Sequence, residues 1–226
     1  MKKHITRLTS LILALLMLVV FASCTKPEDN NNVTNGTAGI ALDLTKEWET
    51  INGENTLVQG CLVVNTAWAA AHPNELAKFL ADYQASVEYV KSGSDDAINS
   101  VVNAEILPKA GIVKKALPAC NLCYIAGADM KPVMNTFCQK IFDYDNKSIG
   151  GAMPTDAFYY TANGNASAAN KNEEIKIYAL NGTTALGMAQ MIESAKNNTS
   201  EMNYNISLYT AADAITGAII SGECDI

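Results

Sequence analysis

The residues best placed to do chemistry are a short neutral string, Asn181-Gly182-Thr183-Thr184. It stands between a strand-like alternating run, residues 175–180, and a helix-like run, residues 185–196. Open α/β sheets bind ligands outside the carboxyl ends of their strands, where the following helices point free N–H groups. Gly182 lets a backbone approach closely, and the hydroxyl of Thr183 or Thr184 can cap the helix or donate to a ligand oxygen. A helix-capping turn with no ligand uses the same residues. The string is not a phosphate loop, because the G-x-x-x-x-G-K-[ST] pattern is absent. Tyr209-Thr210 occupies the equivalent position one strand later. Gln59, in LVQGCLVV, is either a polar contact for the same site or a buried strand amide.

Other chemistries find less support. Cys120-Asn-Leu-Cys123 has the spacing of a redox or zinc pair, but no second Cys/His pair follows at zinc spacing and the Trp or Pro of thioredoxin-like sites is missing. Residues 121–126 read as a strand, on which positions three apart face opposite ways. Cys120 and Cys123 therefore read as small buried hydrophobes. With Cys61, Cys138 and Cys224 they make an odd set of five, which is not a disulfide framework, although it leaves room for one or two bridges. The two histidines, His4 and His72, have no orienting motif for a catalytic triad. The expectation is a chain with no catalytic residues, no metal site and no cofactor.

The N-terminus says where the chain resides. Lys2, Lys3 and Arg7 precede an apolar run of 12 residues, 11–22, too short for a bilayer span and suited to a secretory signal. Phe21-Ala22-Ser23-Cys24 resembles a bacterial lipobox, which would make Cys24 an acylated membrane anchor. An ordinary signal peptide cut before Cys24 is the other reading. The net charge is −7 over 226 residues, and removing residues 1–23 removes three positive charges and no acid. So acidic a chain excludes nucleic acid as a partner, though not an anionic solute, which helix N-termini can bind.

The elements that would position the site follow from periodicity. Residues 24–39 are Asn-rich and polar, a tether. Residues 57–64 (LVQGCLVV) read as a buried strand with Gly60 at a bulge. Pro73 opens a helix whose apolar stripe is Leu76, Phe79, Leu80, Tyr83, Val87 and Val90, ending at Ser92-Gly93-Ser94. A second helix spans 95–105 and a third 130–142. Residues 161–172 form a second tether, dividing an organised piece at 40–160 from another at 173–226. The latter is a βαβα unit: strands 175–180 and 203–210, helices 185–196 and 211–220, with the strands parallel. A further strand is expected to begin at Gly222. A parallel pair is buried on both faces, so something outside this unit must cover it.

Over residues 56–160, TLVQGCLVV, the helix at Pro73, LPACNLCYIAGADMKPVM and SIGGAMPTDAFYY follow one another. This succession resembles the C-terminal part of solute-binding proteins of ABC importers, in the nitrate/sulfonate/thiamine-precursor-like group. Residues 173–226, from EEIKIYALNGTTALGMAQMI to SGECDI, resemble the start of the mature domain in that family. The blocks stand in permuted order, and the family's middle portion has no counterpart. The resemblance implies α/β lobes like those of type II periplasmic binding proteins, incomplete or permuted. It also implies a small anionic or heterocyclic solute in a cleft lined by the turn after the first strand, here Asn181 to Thr184, and a permease and ATPase as partners. The block order suits a truncated reading frame, a chain completed by a second one, or a degenerate lipoprotein; the first is the expectation. A redox lipoprotein using Cys120 and Cys123, and a passive surface lipoprotein, are the alternatives from other functional classes.

Overall fold

The computed structural model describes residues 42–54, 56–161 and 163–226. The expected signal peptide, the expected anchor Cys24 and the expected first tether lie outside the described residues. The elements are α1 (Leu44–Asn52), α2 (Thr66–Ala71), α3 (Pro73–Lys91), α4 (Asp95–Asn103), α5 (Ala110–Ala116), α6 (Met130–Asp145), β1 (Glu174–Leu180), α7 (Ala189–Lys196), β2 (Asn203–Tyr209) and α8 (Ala212–Ser221). Leu44–Ile226 forms one unit of mixed α/β type, mostly helical, around a small parallel sheet.

The stripe read from the sequence is the face that α3 buries. Pro73 occupies the first turn, where its missing N–H costs nothing. Leu76, Phe79, Val87 and Val90 are buried, while Leu80 and Tyr83 pack partly buried against them. The helix gives way at Ser92 and Gly93, whose φ of +61° suits glycine. Ser94 then caps α4, its Oγ accepting from the Ala97 N–H at 3.2 Å.

The βαβα unit is present as expected. β1 and β2 are parallel, in register from Glu174 opposite Asn203 to Leu180 opposite Tyr209. Ile175, Ile177 and Tyr204 fall on one face and are buried with α3, α4 and α7. Phe79 sits at the centre of this contact, fully buried, its ring 6.1 Å from Tyr83 (stacked) and 6.1 Å from Tyr204 (edge-on). Asn103 Nδ2 donates to Glu193 at 2.6 Å and Ser100 Oγ donates to the same carboxylate, joining α4 to α7. The cover that the parallel pair needed comes from residues about a hundred positions earlier.

The expected helix 185–196 is α7 only from Ala189 onward, with a 3-10 segment over Thr183–Met188 before it. Within that segment a Cβ on Gly187 would lie 2.8 Å from Val87 Cγ2 and 3.1 Å from Tyr83 Oη. The path there is set by close passage over α3, not by helix propensity. At the other end, the Ile226 N–H donates to Lys176 O (3.2 Å) and the Tyr178 N–H to Ile226 O (2.9 Å). These bonds have the pattern of a parallel bridge between Ile177 and Ile226, on the edge of β1 away from β2.

Two expected strands are not strands. Residues 57–64 join no sheet; Leu62 and Val63 are 40 % and 54 % exposed. β propensity alone makes no ladder; a strand forms only where it meets the edge of another, and none pairs with this stretch. Residues 121–126 are likewise unpaired and lie over α3, Tyr124 edge-on to Tyr83 at 5.8 Å. Residues 161–172 are not a tether between separate cores. The Asn165 N–H donates to Asn74 Oδ1, and the Asn170 N–H to the buried Glu75 carboxylate, both at 2.8 Å. The helices α1, α2 and α5 have no counterpart in the expectations drawn from periodicity.

Replacing Phe79 by Ala removes the central side chain of this core. The expected loss is about 3–5 kcal/mol in denaturant unfolding. Stability should also fall at alkaline pH. Burial and a 2.7 Å hydrogen bond from Tyr204 Oη to Asp82 Oδ2 push the Tyr204 phenol well above its usual range. The folded chain holds that proton more tightly than the unfolded chain, so the contribution is whole below about pH 10 and is lost as pH rises further. Melting temperatures of the parent chain and of Tyr204→Phe, followed upward from neutral pH, should converge as that contribution disappears.

Candidate functional site

The carboxyl ends of the two strands are tied together by one bond, from the Asn181 N–H to Tyr209 O at 2.7 Å. Asn181 Oδ1 accepts the Gly182 N–H at 2.8 Å. Gly182 then adopts φ +110° and ψ −150°, a region open essentially to glycine alone. Its carbonyl accepts the Ala185 N–H at 3.1 Å, starting the 3-10 segment. Thr183 and Thr184 follow, both exposed. Neither hydroxyl caps the helix, because the N-cap position is Gly182 itself and has no side-chain bond. The capping role expected for these threonines is thus not the one they fill.

A residue distant in sequence closes on this loop. A Cβ added to Gly60 would lie 3.2 Å from Thr184 Cγ2. Gln59, beside it, is exposed and not a buried strand amide. Asn181, Gly182, Thr183, Thr184, Tyr209, Thr210 and the Gln59-Gly60 pair therefore share one edge of the molecule.

The sequence reading missed Tyr178. Its ring centroid lies 4.6 Å from that of Tyr209, with the planes tilted by 38°. The two face the same way because positions 178 and 209 fall on the sheet face opposite Ile175 and Ile177. Strand alternation combined with the parallel register could have found the pair. Tyr178 Oη also donates to Glu223 Oε1 at 3.2 Å. Hydrogen bonding with Tyr209, then burial, then the Glu223 charge push the Tyr178 phenol up. Glu223, the charged side chain bonded to this pair, is an acid. What the edge offers a ligand is backbone N–H, hydroxyl and aromatic surface.

Two open hollows, of about 260 and 340 Å³, lie elsewhere, around the amino-terminal half of β2. The polar groups beside them satisfy one another: Lys78 meets Asp82 at 2.5 Å and Glu201 at 3.4 Å, and Lys171 meets Glu201 at 3.7 Å. We attach no ligand to them.

The five cysteines among the described residues are all free thiols. Cys120 is half-buried and donates to Ala116 O at 3.3 Å, and burial pushes its thiol up, away from the thiolate that redox exchange needs. Cys123 is exposed. His72 stacks on Trp68 at 5.3 Å and faces Glu173, its Nδ1 3.8 Å from Oε1. No known protein family, curated protein or solved structure matches the chain.

Substituting Ala for Gly182 meets no steric obstacle, since nothing lies within 4 Å of the new Cβ. The backbone conformation alone should cost about 1–3 kcal/mol in unfolding free energy. A thiol-reagent titration at neutral pH should label Cys123 in the native chain well before Cys120; equal fast labelling would contradict the raised Cys120 thiol.

Proposed function

We propose that this chain is a lipid-anchored, extracytoplasmic solute-binding component of an ABC importer, holding a small anionic or heterocyclic solute at the carboxyl edge of β1 and β2. Its lobes are read as those of a type II periplasmic binding protein, in incomplete or permuted form. The observation that carries the reading is convergence: Gly60 closes on Thr184 at the same edge where Asn181, Gly182 and Tyr209 meet. The parallel βαβ unit supports it, because that topology presents its loop there. The lipobox-like Phe21-Ala22-Ser23-Cys24 supports the anchor, and the family resemblance supports the permease and ATPase as partners.

A binding protein of this kind encloses its solute between two walls. The edge described supplies one, so the isolated chain is expected to bind weakly. The test is thermal unfolding of the full chain with nitrate, a sulfonate, bicarbonate and a pyrimidine. At a solute concentration ten times the Kd, stabilisation is about 1.4 kcal/mol, which is a rise in Tm of a few degrees for a chain this size. At least one solute should raise Tm, and Thr184→Val or Tyr209→Ala should remove the rise. If none of the solutes moves Tm, the binding reading fails. Micromolar affinity would instead show that one wall suffices.

A further inference from the structure

Cys61 and Cys138 are far apart in sequence, and the fold brings them together. Trp48 is the meeting point: its Nε1 donates to Thr56 Oγ1 at 2.9 Å, and its ring lies 5.7 Å from that of Phe137. The stretch 57–64 therefore starts beside the turn of α6 that carries Phe137 and Cys138. Cys138 is the one residue of α6 that is buried. Yet the elements that α6 packs closely against are the short 3-10 turns that flank it, so the cover of Cys138 comes from irregular segments. Tyr159 is one part of that cover, its Oη donating at 2.6 Å to Asn135 Oδ1, three residues before Cys138 on the same helix face. Cys61 is another. It is exposed as a residue, although protein crowds its sulfur: burial pushes its thiol up, and the Cys138 charge pushes it further.

We propose that Cys61 and Cys138 close into an intramolecular disulfide that staples α6 to the 57–64 stretch. A bridge asks its two Cα atoms to come within about 7 Å of each other. Cys61 stands in a run that makes no backbone bond to another described backbone group, so it can shift toward α6 while the helix stays whole. The step is thiol–disulfide exchange with a small external disulfide, the oxidised form of a thiol such as glutathione. That disulfide takes up two electrons and the protons of the two thiols and leaves as two thiols, while the bond between Cys61 Sγ and Cys138 Sγ forms. Exposed Cys61 is the sulfur the reagent reaches first, and buried Cys138 then displaces it from the mixed disulfide. On the export reading of the N-terminus, the chain works where such bridges persist. Other partners are worse placed: Cys123 lies over α3 beside Tyr83, and Cys224 is fully buried at the edge of β1. Burial pushes both thiols of the pair up, so neither is the ready leaving group that lets a bridge reopen; that is the mark of a structural disulfide and not of a cycling one. The proposal does not rest on solute binding. It does tie Gly60, whose added Cβ would lie 3.2 Å from Thr184 Cγ2, to α6.

The test is non-reducing peptide mapping of the full chain, purified in mild detergent and equilibrated with a mixture of reduced and oxidised glutathione. The expected result is one pair of peptides joined through Cys61 and Cys138 within a single chain. The bridge closes a loop of roughly 80 residues, and its reduction should lower Tm by roughly 5–15 °C. Cys61→Ser changes an exposed residue, so that variant should fold, melt where the reduced parent melts, and ignore reductant. Finding Cys61 and Cys138 as free thiols or glutathione adducts after equilibration would overturn the proposal. So would a bridge from either one to another cysteine, or a Cys61–Cys138 bridge whose reduction leaves Tm unchanged.

Discussion

A pair of parallel strands cannot stand in water alone, and here its cover comes from far away in the sequence. Ile175, Ile177 and Tyr204 present an apolar face that α7 covers incompletely. The rest is taken by α3 and α4, with Phe79 fully buried where they meet the sheet. Other features hang on that contact. Gly187 is the residue that lets the crossover pass over α3, since any side chain there would strike Val87 and Tyr83. Glu75, buried at the start of α3, takes the Asn170 N–H and so draws the approach to β1 along the helix. The position of β1 in turn fixes the Asn181–Thr184 loop.

What was legible in the sequence is what a single element decides by itself. The period of Leu76, Phe79, Tyr83, Val87 and Val90 is a property of one helix, and α3 buries that face. The alternation of β1 and β2 and the strand-to-helix turn at Asn181 are local in the same sense. What was not legible depends on a second element. LVQGCLVV has strand composition, but whether it becomes a strand depends on the chain bringing it to the edge of another, and it joins no sheet. The same holds for residues 121–126, which lie across α3 instead. The 3-10 start of the crossover was hidden because α3, not the local residues, dictates it. Short α5, with Gly111 in its first turn and Val113 its one buried residue, gives too brief a period to read.

The site divides in the same way. The Asn181–Thr184 turn announced itself, because a glycine and two threonines between strand and helix are visible in one line of sequence. The approach of Gly60 to Thr184 did not, because it joins residues more than a hundred positions apart. Tyr178 was overlooked for a narrower reason: it lies inside the strand and not at its end, and only the register against β2 sets it beside Tyr209. The contrast with the amino end of β2 is chemical. There Lys78, Asp82, Lys171 and Glu201 neutralise one another. At the carboxyl end the loop threonines are exposed and free of a capping role.

The long reach between Phe79 and Tyr204 also governs how the chain comes to be folded. A chain made from its N-terminus has α3 in hand while the strands that cover it do not yet exist. Contacts of such sequence separation must close a large loop before they return any stabilisation, and they form slowly. Through that interval the faces of Phe79, Val87 and Val90 are open to water and to other chains, which is the state in which holding chaperones act and aggregates start. Burial of this core is a late event, reached only when β2 has followed β1.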